Sequence, residues 1–149
     1  IPHVLERCLS EIEARGLTEV GLYRVPGSGA GVSRLRSTFD SGQRDFDMGR
    51  NSEFSDINIV GGAVKLFLRE MPEPLLTHNL YDAFIKAVSI EDYDERLWAI
   101  KDLVHALPRP NYIVLRRVIE HLEKVTDYED VNNMFSTNLA IVFGPTLLQ

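Results

Sequence analysis

Apolar residues recur every three or four positions along most of the chain, the spacing of one buried helical face. After Pro2, Val4, Leu5, Cys8, Leu9 and Ile12 share such a face until Gly16 supplies a stop, which predicts a first helix. Val32, Leu35 and Phe39 predict a short second helix ending near Gly42, followed by a polar connection through Asp45, Asp47 and Glu53 that reads as mobile. Asp56 is the expected N-cap of a helix carrying Ile57, Val60, Val64, Phe67, Leu68 and Met71, stopped by Pro72 and Pro74. Thr77 is the expected cap for Leu80, Phe84 and Val88, and a further helix runs through Leu97, Ile100, Val104 and Leu107 to Pro108 and Pro110. Asn111 is then the expected cap for Leu115, Val118, Leu122 and Val125. A short apolar helix from Thr137 to Phe143, broken by Gly144-Pro145, closes the chain. No segment alternates with period two, so the expected class is all-α, a single-domain bundle of about seven to eight helices.

One segment resists this periodicity. Between Leu17 and Gly31 the glycines and Pro26 fall too densely for a long element, which predicts a loop.

Composition narrows the function. Apolar residues make up 44 % and charged residues 26 %, as in ordinary folded domains. Sixteen Lys and Arg against 22 Asp and Glu leave a net charge of −6, which argues against nucleic acid or an anionic membrane as the main partner. No apolar run reaches the roughly 18 residues of a membrane span. The single cysteine cannot form an internal disulfide, which favours a reducing, cytoplasmic setting.

The residues that carry chemistry elsewhere suggest little here. His3, His78, His105 and His121 are scattered, with no pair at metal-ligand spacing, and read as surface or capping residues. Cys8 reads as a small buried hydrophobe. The acidic pairs Glu11/Glu13 and Asp92/Asp94 read as solvated charge. The loop from Gly21 to Gly31 lacks the lysine of a phosphate-binding P-loop, and Val32 stands where a dinucleotide fingerprint needs its third glycine. What it contains is Arg24 between apolar neighbours and a Pro26-Gly27 turn. Two readings fit, a guanidinium thrust outward from a braced base or an ordinary surface arginine.

On the helix after Asp56, Lys65 and Arg69 lie about 40° apart around the axis, beside the apolar stripe. Such cations either reach a neighbouring loop or partner, or are solvated. Gly61 and Gly62 in the same helix each cost about 1 kcal/mol relative to Ala, which suggests close packing of another backbone.

Four blocks in order carry a resemblance along the whole chain: Gly21-Leu22-Tyr23-Arg24 with Pro26-Gly27, Lys65 to Leu76, Leu107-Pro108 with Asn111 and His121-Leu122, and Asn138 to Pro145. Together they resemble the GTPase-activating domain for Rho-type small GTPases (RhoGAP). The resemblance implies a helical bundle over residues 1–149, cut from a longer multidomain protein and lacking the last C-terminal helix, with an exposed core edge as the expected result. It implies a GTP-bound Rho, Rac or Cdc-type GTPase as partner and Arg24 as the arginine finger. Lys65, Arg69, Asn138 and Pro145 match positions that brace the finger loop or contact the partner. No cofactor of its own is implied, because Mg²⁺ and GTP are held by the partner, nor any nucleic acid or membrane insertion. The alternative within the fold is a catalytically silent module that only binds small GTPases.

Overall fold

The computed structural model describes residues 1–43 and 45–148, and among these every regular element is helical. Eight α-helices follow in order: α1 (His3–Arg15), α2 (Gly29–Asp40), α3 (Ile57–Arg69), α4 (Tyr81–Val88), α5 (Tyr93–Ala106), α6 (Arg109–Thr126), α7 (Glu129–Asn132) and α8 (Ser136–Leu148). A single 3₁₀ turn, Ser52–Phe54, precedes α3.

The centre of the bundle is α3, against which α1, α2 and α8 pack. Its N-terminus forms where expected, because the Asp56 carboxylate accepts the Asn58 N–H at 3.0 Å. Ile57, Val60, Val64 and Leu68 follow on the buried stripe. Leu5, Cys8, Leu9 and Ile12 of α1 face it, and α1 stops where Gly16 N–H reaches the Ile12 carbonyl at 2.7 Å. Burial pushes the Cys8 thiol up to about 12, against the opposing charge of Arg7, as suits a core hydrophobe.

Several expected boundaries move. Helix α2 begins at Gly29 because the Ser28 hydroxyl accepts the Gly31 N–H, so the last glycines of the presumed loop are helical. Gly31 packs closely on α3, since a Cβ there would lie 2.5 Å from Ile59 Cδ1 and the Ile59 side chain would have to shift. Thr77 adopts a left-handed φ of 67° and its hydroxyl accepts the Leu80 N–H, but α4 starts only at Tyr81. Pro108 and Pro110 start α6, proline being tolerated in a first turn, and Asn111 lies inside it, donating to the Leu75 carbonyl at 2.9 Å.

The largest departure is α8, which runs through Gly144-Pro145 to Leu148. Leu139 and Phe143 before the proline, and Thr146 and Leu147 after it, are all buried, and the Leu147 carbonyl accepts the Leu76 N–H at 3.1 Å. Tertiary anchoring on both sides outweighs the bond that Pro145 cannot donate, and both residues at that gap, Ile141 and Pro145, are exposed.

The polar connection after α2 is anchored. Met48 and Phe54 are fully buried, Arg7 donates to the Phe46 carbonyl, and Arg15 donates to the carbonyls of Phe54 and Ser55. By contrast α5 buries no side chain fully, only Leu103 and Val104 packing partly against the core, and Val88 and Leu97, expected on apolar faces, are exposed. An apolar groove lies nearby, lined by Val88, Ile100, Ile119, Leu122, Leu139 and Phe143. No helix among the described residues is long and apolar enough to cross a membrane.

Candidate functional site

The turn from Gly21 to Gly27 sits on α3 and is held at three places. At its start, Gly21 adopts a φ of 75°, its N–H reaches the Asn132 carbonyl, and its own carbonyl accepts the N–H groups of Arg24 and Val25 at 2.8 Å. At its end, Gly27 lies so close to the α3 N-terminus that a Cβ would stand 2.6 Å from Asn58 C and O and from Ile59 N. The close backbone approach expected at Gly61 and Gly62 does not occur there; Gly27 makes one instead at Asn58 and Ile59. Those two α3 glycines make room for side chains, Gly61 for the Tyr23 ring and Gly62 for Val32.

Between the two ends, Tyr23 is locked on all sides. Its φ of 72° is unusual for a bulky residue, and it is 1 % exposed. The ring meets Phe143 edge-on at 4.9 Å and His121 at 5.7 Å. Its hydroxyl lies 2.6 Å from His121 Nε2, and its carbonyl accepts the Lys65 ammonium at 2.7 Å. Burial, with the charge of Arg69 one turn away, lowers the Lys65 pKa from 10.5. Arg24 follows immediately and is exposed. A bulky residue fixed at carbonyl, ring and hydroxyl is thus the base from which the next side chain projects.

The other expected site residues are placed differently. Arg69 is exposed on α3, one turn beyond Lys65. Asn138 caps its own helix, its side-chain oxygen accepting the Phe135 N–H at 3.2 Å. Pro145 is exposed on α8, the helix whose Phe143 touches the Tyr23 ring. Lys65 is the one of the four shown bonding to the Gly21–Gly27 turn itself.

The roles of three residues behind the turn escaped sequence reasoning. His121 is fully buried, its Nδ1 2.7 Å from Glu13 Oε2, so it is neither a surface nor a capping residue. Its position on the α6 stripe Val114, Val118, His121, Val125 carried that information. Glu13 also receives Arg117 at 2.7 Å and Lys124 at 3.1 Å, so it is not solvated charge. Asn132, fully buried, donates to the carbonyls of Leu17 and Val125, accepts the Met134 N–H, and carries the carbonyl that holds Gly21. Nothing in its local pattern marks it.

These partners make stability depend on pH. Burial alone would raise the Glu13 pKa, but hydrogen bonds from Arg117, His121 and Lys124 bring it down from 4.5 to about 2. Burial lowers the His121 pKa from 6.5, with Glu13 opposing. The unfolded chain therefore takes up a proton at His121 before the folded one does, and stability falls as pH drops below about 6.5. The Glu13 contribution is lost later, between 4.5 and about 2. Urea unfolding is expected to show declining stability from pH 7 to pH 5, with a shallower decline in His121→Gln. Equal slopes in the two proteins would contradict this assignment.

An all-helical module that braces one exposed arginine on a turn anchored by a buried tyrosine is the class defined by this fold and site. The sequence profile of the RhoGAP domain matches residues 2–149, and the chain belongs to that family. It is 43 % identical to rat beta-chimaerin over 148 residues, 99 % of this chain and 50 % of that protein. It is 41 % identical to chicken Rho GTPase-activating protein 15 over 150 residues, all of this chain and 31 % of that protein. The chain thus spans half or less of the length of these relatives. The crystal structure of human Rho GTPase activating protein 15 superposes with a TM-score of 0.93 at 37 % identity, covering 99 % of this chain and 69 % of that one.

Proposed function

We propose that this domain stimulates GTP hydrolysis by a GTP-bound Rho-, Rac- or Cdc-type small GTPase, supplying Arg24 in trans as an arginine finger. The observation that carries the reading is the braced turn, in which an exposed arginine follows a tyrosine held at three points. Phosphoryl transfer to water spreads negative charge over the transferred group, and its catalysis is mainly positioning and electrostatic stabilisation. The GTPase holds nucleotide, Mg²⁺ and attacking water, so the missing contribution is a fixed cation aimed where charge develops. Arginine suits this because its fork of donors stays charged and matches phosphate oxygens. Lys65 acts from behind by holding the Tyr23 carbonyl, whereas Arg69, Asn138 and Pro145 are assigned to partner contact or to support of the turn.

The test is single-turnover hydrolysis by a panel of GTP-loaded Rho, Rac and Cdc-type GTPases with and without the domain. Acceleration of at least one member is expected. Binding without acceleration would establish the silent-module alternative, and hydrolysis by the domain alone would overturn the in-trans mechanism.

Lys65 and Arg69 should separate in the same assay. Lys65→Ala removes a charge-assisted bond to the turn, expected to cost about 2 kcal/mol, or roughly thirtyfold in maximal stimulated rate. Arg69→Ala should instead raise the concentration needed for half-maximal stimulation. Wild-type kinetics in both variants would return the pair to solvated charge.

A further inference from the structure

A chain of two hydrogen bonds, one part-buried and one buried, runs behind the finger turn, from Glu13 on α1 through His121 on α6 to the Tyr23 hydroxyl. Its direction follows from the chemistry of its members. Glu13 is ionised and can only accept, so His121 Nδ1 donates to it. Burial disfavours the imidazolium, and in the neutral ring Nε2 is left as a lone-pair acceptor. The Tyr23 O–H therefore donates to Nε2, and every polar atom in the chain has a partner. Arg117 and Lys124 from α6 close around the far carboxylate, and Cys8 of α1 is the other titratable group near the phenol.

We infer that the Glu13–His121–Tyr23 chain is a positioning device for Arg24, setting the depth and rotation of the Tyr23 ring and thereby the direction in which Arg24 leaves the turn. This rests on the reading of Arg24 as the finger. Edge-on contacts with Phe143 and His121 hold the ring laterally but leave it free to slide along its long axis. The hydroxyl bond at one end and the Lys65 bond to the carbonyl at the other remove that freedom. A left-handed, non-glycine backbone persists where its surroundings over-determine it, and here the over-determination is applied one residue before the reactive side chain.

Tyr23→Phe is the decisive variant, because it removes one oxygen and keeps the ring. Its maximal rate of stimulated hydrolysis should fall about tenfold, since small misplacements of a catalytic group are costly. The domain concentration giving half-maximal stimulation, and affinity for a GTPase loaded with a GTP analogue, should stay at wild-type values. His121→Gln, whose amide keeps a donor and an acceptor, should give an intermediate rate at wild-type half-saturation. In an Arg24→Ala background, Tyr23→Phe should cost no further rate, because the chain acts only through that side chain. A wild-type rate in folded Tyr23→Phe, a loss expressed as weaker binding in either variant, or a full tenfold loss persisting without Arg24 overturns the positioning role. A wild-type rate in Arg24→Ala itself overturns the finger reading instead.

Discussion

Arg24→Ala is expected to lose roughly 10³- to 10⁵-fold of stimulated hydrolysis, the range over which fingers supplied in trans act. That corresponds to about 4 to 7 kcal/mol of transition-state stabilisation. The fold should be unaffected, because the side chain is exposed and the bonds that shape the turn belong to the main chain of Gly21, to Tyr23 and to Lys65. Affinity for a GTPase loaded with a GTP analogue should also be largely kept, since the arginine makes its strongest contact only where charge develops. The discriminating measurement is titration against three partner states: GDP, a GTP analogue, and GDP with a planar fluoride mimic of the transferred group. The wild-type domain should bind the mimic most tightly. Arg24→Ala should lose that extra affinity selectively while still preferring the GTP analogue to GDP, a preference that reads switch shape. Arg24→Lys should recover little, because an ammonium does not reproduce the fork. Near-normal stimulation by a folded Arg24→Ala protein would sink the mechanism.

Gly27→Ala is expected to do smaller but still large damage by a different route. The added methyl would meet main-chain atoms of Asn58 and Ile59, which cannot rotate away as a side chain can. Nor can the start of α3 retreat, since Asp56 caps it and Ile57 and Ile59 are buried. The strain must then lift the turn. Overpacking of this kind costs about 1 to 3 kcal/mol of stability. The larger effect is kinetic: displacing the turn by about 1 Å should cost on the order of 10²-fold in maximal stimulated rate. Denaturant unfolding and the single-turnover assay check the two parts, and Gly29→Ala is the matched control, because nothing lies within 4 Å of a Cβ at Gly29. Equal behaviour of the two alanine variants would show that the turn tolerates displacement.

How far the molecule could be read in advance depended on the range of the interactions involved. Helix α3 was legible because its determinants are local, with Asp56 at the cap and Ile57, Val60, Val64 and Leu68 at helical spacing. The loop that carries Arg24 was legible as a loop for the same reason. Its aim was not, because Tyr23 is set by His121, 98 residues away, and by Phe143. Pro145 inside α8 shows the converse, a correct local rule overridden by burial on either side. Lys65 was recognisable through the family resemblance, but its acceptor, a carbonyl oxygen in another element, leaves no trace in side-chain pattern.

The supports of the turn that carries Arg24 are drawn from nearly the whole chain: Glu13 from the first helix, Asn58 and Lys65 from the third, His121 from the sixth, Asn132 from the short seventh and Phe143 from the eighth. Most of these contacts close long loops, the slow part of assembling any chain. A collapsed intermediate with every helix formed but side chains still fluid would therefore display an arginine and aim it nowhere. On the proposed function, the aim of Arg24 thus depends on native packing contributed by five different helices, and a chain without that packing is expected to be silent toward a partner.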